Sequence, residues 1–475
     1  MSFYRIKYSL FNYNKFMSLN LYNTKSGAKE VFIPINPDNI TLYLCGPTVY
    51  NYAHIGNARP AVVFDVLNRL LKHHYPKVTY ARNITDIDDK INKSAMELGQ
   101  NIKKYSQKYA DIYNHDLKQL GVLPPDIEPY ATDHIPQIIA MIKELIEKEH
   151  AYAAEGHVLF SVESYKDYGK LSNRKIEDMI AGARVEVAPY KKSPADFVLW
   201  KPSDDSLPGW NSPWGRGRPG WHIECSAMCK EHLGDIIDIH AGGRDLVFPH
   251  HENEVAQSCC ANDTESFANY WVHNGMINMG NQKMSKSLGN ILLIKDVAEK
   301  YKGEVIRWLL LSAQYRQSVD WSEDSIHKAQ KTMDRIYATL RDNQKTTVDV
   351  NKDKIPDSII KALDDDLNTP IAFAEINKLS KQLAKAESEE DKKHYKSQLL
   401  STGELLGLFL EDSEAWFKSD NAEIDDQKID LLIEQRNQAR ENKDWAKSDE
   451  IRDELAAMNI VLEDSANGTR WSVKN

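Results

Sequence analysis

Cysteine is scarce in this sequence, and its scarcity excludes a fold held together by disulfides. The 475 residues contain five cysteines, at positions Cys45, Cys225, Cys229, Cys259 and Cys260. An odd, sparse set in a chain of this length is typical of a reduced, intracellular protein in which cysteine binds metal or takes part in chemistry. We therefore expect a cytoplasmic location and treat the cysteines as candidate ligands.

Long apolar runs and an excess of positive charge are also missing. No stretch approaches the ~18 consecutive apolar residues of a membrane helix, so no membrane partner is expected. The net charge of −10 argues against DNA as a partner but leaves RNA open, because local basic surface decides that binding. With 41% hydrophobic and 27% charged residues, the chain has the composition of a globular protein of roughly two to four domains.

The first sixteen residues stand apart from the rest. Residues 1–16 contain three basic residues and no acidic one, and they lack the compact apolar core and cleavage site of a secretory signal. Two interpretations stay open. The segment is either a loose extension ahead of a start at Met17, which we favour, or a weak targeting segment.

The stretch Leu42–Asn57, LYLCGPTVYNYAHIGN, combines an apolar strand, Cys45 and a Gly-Pro turn with His54, Gly56 and Asn57. After it, apolar residues recur with the spacing of one helix face, at Val62, Val63, Val66, Leu67, Leu70 and Leu71. A strand, a glycine turn and a helix present free backbone N–H groups to a phosphate. The stretch therefore predicts a nucleotide site near a thiol, and the alternative is a purely structural turn.

A second stretch, Lys283–Asn290, places two lysines, two serines and a glycine within eight residues. Such a segment can clamp a polyanion, although on its own it is more often a solvated loop. Together the two stretches resemble the His-Ile-Gly-His and Lys-Met-Ser-Lys-Ser signatures of class I aminoacyl-tRNA synthetases. The first reads His54-Ile-Gly-Asn57 here, with Asn in place of the last His, and the second matches at all five positions from Lys283 to Ser287.

Strands and helices alternate from Ser18 to about Leu123, with a second strand at Val78–Thr85. This βαβ spacing predicts a parallel sheet whose C-terminal edge, holding Cys45 and Thr85, binds ligands. Apolar spacing further predicts helices over residues 134–148, 305–312, 324–346 and 359–409. Strands are predicted at 158–162, 196–200, 235–240, 460–464 and 468–473. We also expect a glycine turn at 241–245, a helix that begins at Pro249 and an acidic linker at 411–426.

We thus predict an α/β fold with a Rossmann-like parallel-sheet catalytic domain that is split by an insertion. A helical bundle and a small C-terminal domain, which by resemblance binds the anticodon, follow it. The predicted boundaries are 1–16 for the extension, 17–150 and 208–323 for the two halves of the catalytic domain, 151–207 for the insertion, 324–426 for the bundle and 427–475 for the C-terminal domain.

Spacing alone suggests a metal site without proving one. His250 and Glu254 are i and i+4, so a helix would turn them the same way, whereas His251 meets Val255 at i+4 and has no ligating partner there. Cys45 and Cys225 would complete a tetrahedral zinc set, with Cys229 as the rival to Cys225. The alternative is that all of these side chains are simply packed in the core.

The same residues carry a closer resemblance. Cys45, Trp221, Cys225, His250 and Glu254 are similar to the cysteinyl-tRNA synthetase family, over nearly all of the chain from Met17 to Trp471. The resemblance implies one zinc ion that coordinates the substrate thiolate, with Trp221 as the pocket floor and Thr85 and His240 near the amino acid. Because zinc prefers a thiolate to a hydroxyl, it implies selection of cysteine over serine without a proofreading domain.

The implied reaction activates L-cysteine with ATP and Mg²⁺ and transfers it to tRNA(Cys). By resemblance, His54, Gly56, Asn57, Lys283 and Lys286 contact the ATP phosphates. Gly243 and Asp245 would bind the ribose or adenine, and Arg440, Asp449 and Asp464 would contact anticodon bases. The family is often monomeric, which we expect here.

Two alternatives remain from the sequence. One is a zinc-dependent ligase that joins cysteine to a small amine, which the helical and C-terminal regions argue against. The other is an inactive RNA-binding relative, which the intact signatures and metal ligands argue against.

Overall fold

The computed structural model describes residues 18–175, 188–280, 291–418, 426–465 and 468–473, together with the backbone of 282–283. The strands are β1 Asn20–Asn23, β2 Ala28–Val31, β3 Ile40–Leu44, β4 Val78–Arg82, β5 Ala151–Ala154, β6 His157–Phe160, β7 Phe197–Pro202, β8 Gly217–Pro219, β9 Ile237–Gly243, β10 Ala268–Asn274, β11 Ile277–Met279, β12 Gln282–Lys283, β13 Val319–Trp321, β14 Ile460–Ser465 and β15 Gly468–Val473.

The α-helices are α1 Ile55–His74, α2 Asp89–Glu97, α3 Ile102–Gln119, α4 Ile135–Glu147, α5 Trp221–Leu233, α6 Glu252–Asn262, α7 Ile294–Ala298, α8 Gly303–Leu310, α9 Glu323–Asp342, α10 Asp357–Asp364, α11 Thr369–Lys385, α12 Glu389–Leu406, α13 Asp426–Glu441 and α14 Trp445–Ala457. Within the described ranges, none of these helices has the length and apolar content needed to cross a membrane.

A four-stranded parallel sheet in the order β10-β9-β3-β4 forms the centre of the protein. The predicted parallel α/β sheet is thereby confirmed. Cys45 follows β3 directly, and its backbone N–H donates to Ala241 O on β9 at 3.2 Å. Because the strands run in one direction, the residues that follow β3, β4 and β9 meet at one edge of the sheet.

Helix α1 is buried on more than the single apolar face that the sequence predicts. Its polar residues Arg59, Asp65 and Asn68 are as buried as its valines and leucines. Asp65 accepts from Arg69 Nε at 2.8 Å and from Arg307 Nη2 of α8 at 2.5 Å. Helix α1 therefore lies between the central sheet and later helices such as α8, and most of its polar side chains face other parts of the protein and not solvent.

Two smaller sheets flank the central one. Strands β5-β6-β7-β8 are antiparallel and form the inserted unit, whose last strand lies past the predicted boundary at residue 207. Strand β11 pairs in parallel with β13 and antiparallel with β12, which ends at Lys283. The backbone at the start of the second signature is thus held in a sheet.

The helical part packs through aromatic pairs. Trp308 of α8 stacks on Phe373 of α11 with ring centroids 3.8 Å apart. Trp416 is buried and stacks on Tyr337 of α9 at 3.9 Å, and it lies in a short 3₁₀ turn, Ala415–Phe417. The segment predicted as a plain acidic linker is therefore partly structured, because one large aromatic residue anchors it. Residues 419–425 of that linker lie outside the described part of the chain.

One local prediction is confirmed and one was wrong. The chain is extended at Phe248 (φ −140°, ψ 133°), and helical backbone begins at Pro249, as predicted, and continues into α6. The predicted glycine turn at 241–245 is mostly strand, since β9 continues through Gly243. A Cβ atom on Gly242 would lie 2.7 Å from the His251 ring, so glycine is needed here for a close approach within the strand.

Candidate active site

Two thiols, an imidazole and a carboxylate converge at the C-terminal edge of the central sheet. Cys45 follows β3, Cys225 lies on α5, His250 lies in the turn before α6, and Glu254 lies on α6. Their ligand atoms all lie within 4.8 Å of one another, and all four side chains are buried. The structure thus brings the four predicted metal ligands into one cluster.

The cluster contains opposite charges that hold each other in place. Glu254 accepts hydrogen bonds from His250 Nε2 and His240 Nε2, both at 2.9 Å. Burial raises the pKa of Glu254, but the two histidines outweigh burial and hold this pKa well below its usual value. Burial lowers the pKa of His250, but Glu254 and Cys225 outweigh it and raise the pKa to about 10.

The two thiols differ in acidity. Cys45 Sγ lies 3.7 Å from Cys225 Sγ and 3.4 Å from Glu254 Oε1. A hydrogen bond from Cys45 lowers the pKa of Cys225 to about 6, against the effect of burial. Burial, followed by the neighbouring Cys225, raises the pKa of Cys45 well above its usual value. Without a metal, the geometry favours a Cys225 thiolate that accepts a hydrogen bond from the Cys45 thiol.

This donor set fits a zinc ion. Two sulphur atoms, one imidazole nitrogen and one carboxylate oxygen are the ligand types that Zn²⁺ takes in tetrahedral sites. The acidic Cys225 needs little help to lose its proton, and a dication would replace the protons that Cys45 and His250 carry in its absence. His222 Nδ1 lies 2.8 Å from His250 Nδ1, so a hydrogen bond between these nitrogens fixes the ring and leaves Nε2 toward Glu254.

A second set of ligand atoms overlaps the first. Cys45, His240, His251 and Glu254 also have ligand atoms within 4.8 Å of one another. The expectation that His251 has no ligating neighbour was wrong, because it considered only position i+4. His251 Nε2 lies 4.0 Å from Glu254 Oε1, at i+3. This second set offers one thiol and not two, and Cys229 belongs to neither set.

Beside the cluster lies a cavity of about 420 Å³. It is lined by residues that the sequence assigns to nucleotide or metal binding, namely Cys45, His54, Gly56, Asn57, Trp221, Gly243 and Asp245. Residues 291 and 293, just after the second signature, line it as well. Cys45 is therefore shared between the ligand cluster and the cavity, so the donor set opens onto a space of nucleotide size.

The three predicted substrate residues occupy different places. Trp221 begins α5, lines the cavity and stacks on His250, with ring centroids 4.2 Å apart. Thr85 is buried and does not line the cavity, but it pairs with Thr48, which does. His240 is fully buried, does not line the cavity and contacts Glu254 through Nε2 at 2.9 Å. Geometry therefore makes Trp221 the one direct candidate of the three.

Comparison with known proteins decides the family. A family model for "tRNA synthetases class I (C) catalytic domain" matches residues 31–331, which is more than half of the chain. The DALR domain model matches 358–411, and the model of the cysteinyl-tRNA ligase anticodon binding domain matches 426–471. A cysteine–tRNA ligase from Xanthomonas campestris is 56% identical over 455 residues, which cover 96% of this chain and 99% of that protein. The chain belongs to the cysteine–tRNA ligase family.

A second relative of the same name, from Parvibaculum lavamentivorans, is 54% identical over 96% of this chain and 98% of that protein. The fold of this ligase-family chain also matches a solved structure, the Mycobacterium tuberculosis methionyl-tRNA synthetase in complex with methionyl-adenylate. That match has a TM-score of 0.54 at 14% identity and covers 78% of this chain and 89% of that one. The resemblance predicted from the two signatures is therefore confirmed, as is the class I fold with helical C-terminal regions.

The C-terminal unit of this ligase-family chain consists of α13, α14 and the hairpin β14-β15. Asp464 on β14 accepts from Arg436 at 2.9 Å and from Arg440 at 2.7 Å, and these arginines, Arg436 first, hold the pKa of Asp464 well below its usual value. Asp449 lies on the other helix and pairs with Arg452 at 2.9 Å. Of the three predicted anticodon residues, the structure thus joins Arg440 and Asp464.

The two tryptophans of this unit differ. From the sequence, either tryptophan could be a stacking platform for RNA bases, and a core position is the favoured interpretation for both. Trp471 is a core residue, and its Nε1–H donates to Asp430 at 2.9 Å. The interpretation is wrong for Trp445, since 60% of it is exposed at the first position of α14. An exposed indole at a helix start is free to stack on an RNA base.

Sequence reasoning missed two residues of the site. Lys90, the second residue of α2, lines the cavity, and a basic residue shortly after β4 was a usable signal. His222 holds the His250 ring, and only its place next to Trp221 pointed to it. The side chains of both signature lysines lie outside the described part of the structure: only the backbone of Lys283 is described, and Lys286 lies outside the described residues.

Proposed function

We propose that this chain activates L-cysteine with ATP and transfers it to tRNA(Cys), using the ligand cluster to recognise the thiol. One observation supports this most: Cys45 belongs both to the metal-ligand cluster and to the wall of the signature-lined cavity. A thiol bound at the cluster would therefore have its carboxylate in the cavity. A purely structural metal site would be closed off from such a space.

Cys45, Cys225, His250 and Glu254 are the proposed ligands of one zinc ion. When bound, zinc supplies a soft Lewis acid that prefers a thiolate to the hydroxyl of serine. We favour this set over the one that includes His240 and His251, because it contributes two thiols and not one. Trp221 covers His250 from the cavity side and would form the pocket floor.

In the first proposed step, a carboxylate oxygen of cysteine attacks the α-phosphorus of ATP, and the bond to pyrophosphate breaks. His54, Gly56 and Asn57 lie at the start of α1, and the positive end of the helix dipole there favours phosphate. The Asn57 amide oxygen already accepts from the His54 backbone N–H at 3.1 Å, so its N–H donors would face the phosphates. Lys283, Lys286 and Mg²⁺ would neutralise the leaving charge, and Gly243 and Asp245 would hold the nucleoside.

In the second proposed step, a ribose hydroxyl of the terminal adenosine of tRNA attacks the activated carbonyl carbon. The bond to AMP breaks with its electron pair staying on the AMP phosphate oxygen, and the hydroxyl proton passes to that departing phosphate or to water. The protein's part in both steps is orientation and charge neutralisation, since no covalent enzyme intermediate is needed.

The decisive experiment pairs two assays on the purified full chain. Cysteine-dependent exchange of pyrophosphate into ATP is expected, followed by transfer of labelled cysteine to tRNA. Exchange without transfer would favour the small-amine ligase, and the loss of both would favour an inactive RNA-binding relative. The match of the anticodon-binding model over 426–471 already argues against the small-amine ligase.

We further propose that the chain acts as a monomer in the cytoplasm, with the domain boundaries predicted from the sequence except that the insertion extends through β8. Sedimentation of the purified chain at micromolar concentration tests the first point. A single species of about twice the chain's 54.3 kDa would contradict it.

Replacing Asp464 with alanine is expected to weaken tRNA use and leave activation intact. The substitution removes a proposed base contact and releases the guanidinium of Arg440. The KM for tRNA should therefore rise by ~10-fold, or about 1.4 kcal/mol, which lies within the range of about 1–3 kcal/mol for one lost contact. Aminoacylation kinetics measure the tRNA KM, and ATP–pyrophosphate exchange serves as the internal reference.

The matched control is Glu450→Ala, which breaks an exposed ion pair with Lys447 on α14 and should change neither assay. An unchanged tRNA KM in Asp464→Ala would remove Asp464 from the anticodon site. A loss of exchange in the same variant would show that the substitution damages the fold.

A further inference from the structure

Arg59 is a buried guanidinium that no acid neutralises among the described residues. It lies on α1 two positions after Asn57, lines the cavity and is 1% exposed. Burial alone lowers its pKa to about 10, with no acidic partner opposing the shift. Burying a cation in this way costs free energy that an apolar side chain of similar size would avoid. A cation that is buried at this free-energy cost beside the cavity is expected to have a specific role.

The reason lies in three backbone carbonyls. Arg59 donates to Met276 O at 2.6 Å, to Gln317 O at 2.5 Å and to Tyr315 O at 3.3 Å. Met276 directly precedes β11, and Gln317 lies shortly before β13, its parallel neighbour. A single planar fork therefore holds the beginnings of two strands, and the compact ammonium of a lysine cannot reproduce that geometry.

The segments that Arg59 joins are fitted closely to each other. Gly275 N–H donates to Tyr315 O at 2.8 Å, which is one of the carbonyls that Arg59 holds. A Cβ atom on Gly275 would lie 2.4 Å from Gln317 O. Any side chain at position 275 would consequently push the two segments apart. Residues 274–277 form one wall of the cavity.

The start of α1, with His54, Gly56 and Asn57, also lines the cavity. Arg59 belongs to that helix, so its guanidinium links this part of the lining directly to the wall 274–277. The same strand β11 pairs with β12, which ends at Lys283. The Arg59 side chain thus connects the helix that carries the first signature to the β11-β12 sheet, where the second signature begins.

We infer that Arg59 is a positioning residue for cysteine activation, because it fixes the cavity wall 274–277 relative to the phosphate-binding start of α1. This inference rests on the proposed function. A displacement of such a wall by about 1 Å is enough to cost ~10²-fold in rate. The role is positional because all three donated hydrogen bonds go to backbone carbonyls and none to the cavity.

The test compares Arg59→Met and Arg59→Lys in the zinc-loaded full chain by ATP–pyrophosphate exchange. Arg59→Met should raise the KM for ATP and lower kcat, with kcat/KM for ATP falling by ~10- to 100-fold. The KM for cysteine and the zinc content should stay at the level of the unmodified chain, because the ligand cluster is not touched. Arg59→Lys should recover part of the loss.

Arg307→Met is the matched control. Arg307 is an equally buried guanidinium that donates to Leu406 O and Leu120 O and also pairs with Asp65, and it does not line the cavity. Its substitution should lower the melting temperature and leave the KM for ATP unchanged. Gly275→Ala displaces the same wall without altering Arg59, so it should reproduce the ATP defect and carries the test if Arg59→Met does not fold.

Three results overturn the inference: an unchanged kcat/KM for ATP in Arg59→Met, a defect of the same size in Arg307→Met, or an unchanged KM for ATP in Gly275→Ala. An unmodified chain that catalyses no cysteine-dependent exchange would instead refute the proposed function. The two failures are therefore distinguishable in one series of measurements.

Discussion

Cys225→Ala is expected to abolish both zinc binding and cysteine activation. The substitution removes one of two sulphur ligands, and it removes the thiol whose pKa of about 6 makes it the readily ionised member of the pair. Loss of a Lewis acid that contributes several kcal/mol should reduce kcat/KM for cysteine by on the order of 10³-fold or more. Metal analysis of the purified protein and ATP–pyrophosphate exchange measure the two effects.

Cys229→Ala provides the matched control on the same helix. Cys229 lies one turn after Cys225, is equally buried and belongs to neither set of ligand atoms. Burial raises the pKa of its thiol well above the usual value, as suits a thiol that packs and does not ligate. Zinc loss in Cys229→Ala, or zinc retention in Cys225→Ala, would show that the proposed ligand set is wrong.

A further variant, His251→Ala, separates the two overlapping sets. It should leave the zinc content unchanged if Cys225 and His250 are ligands. Loss of zinc in His251→Ala with retention in His250→Ala would favour the set with a single thiol. The two sets share Cys45 and Glu254, so substitutions at these positions cannot distinguish them.

The sequence predicted the meeting of Cys45, Cys225, His250 and Glu254 because simple geometry was sufficient for it. Parallel strands end at one edge, so the residue after β3 was bound to lie near those after β9, and residues 250 and 254 are one helical turn apart. The hairpin β14-β15 was predicted at its observed position for a similar reason, since alternating apolar residues around a glycine turn define it locally.

What the sequence did not reveal depends on contacts between distant segments. His251 was dismissed because only its i+4 neighbour, Val255, was considered, whereas Glu254 lies at i+3. Its other neighbours in the second set, Cys45 and His240, come from other segments of the chain. Arg59 looked like an ordinary helix residue, since its three carbonyl partners lie more than two hundred positions away. Such polar contacts leave no periodic signal, because one guanidinium can bind any backbone carbonyl.

The Asn at the end of the first signature also becomes clearer from the structure. Asn57 is the third residue of α1, and its amide oxygen satisfies the backbone N–H of His54. It therefore stabilises the helix start in addition to any contact with phosphate. A neutral residue at this position leaves more of the phosphate charge to the lysines, which increases the expected importance of the second signature.

Lys286→Ala is accordingly expected to slow adenylate formation strongly. Removal of one fixed donor to developing charge costs on the order of 10²–10³-fold in kcat, and few other cations are available nearby. Among the described residues, Lys90 and the carbonyl-bound Arg59 are the cations that line the cavity. Single-turnover formation of cysteinyl-adenylate measures the effect, and zinc content should remain unchanged because the ligand cluster contains no lysine.

Lys295→Ala is the control for general loss of positive charge near the cavity. Lys295 lies on α7, just beyond the second signature, and its Nζ lies over the Tyr52 ring, 4.3 Å from the ring centroid. It carries the same charge in the same region but does not line the cavity, so its substitution should change kcat by less than ~3-fold, in keeping with a screened surface charge. Equal losses in Lys286→Ala and Lys295→Ala would show that the site responds to overall charge. A loss of adenylate formation in Lys286→Ala alone would instead mean that one defined ammonium group holds the leaving phosphates. That result would agree with the small number of cations among the described residues that line the cavity.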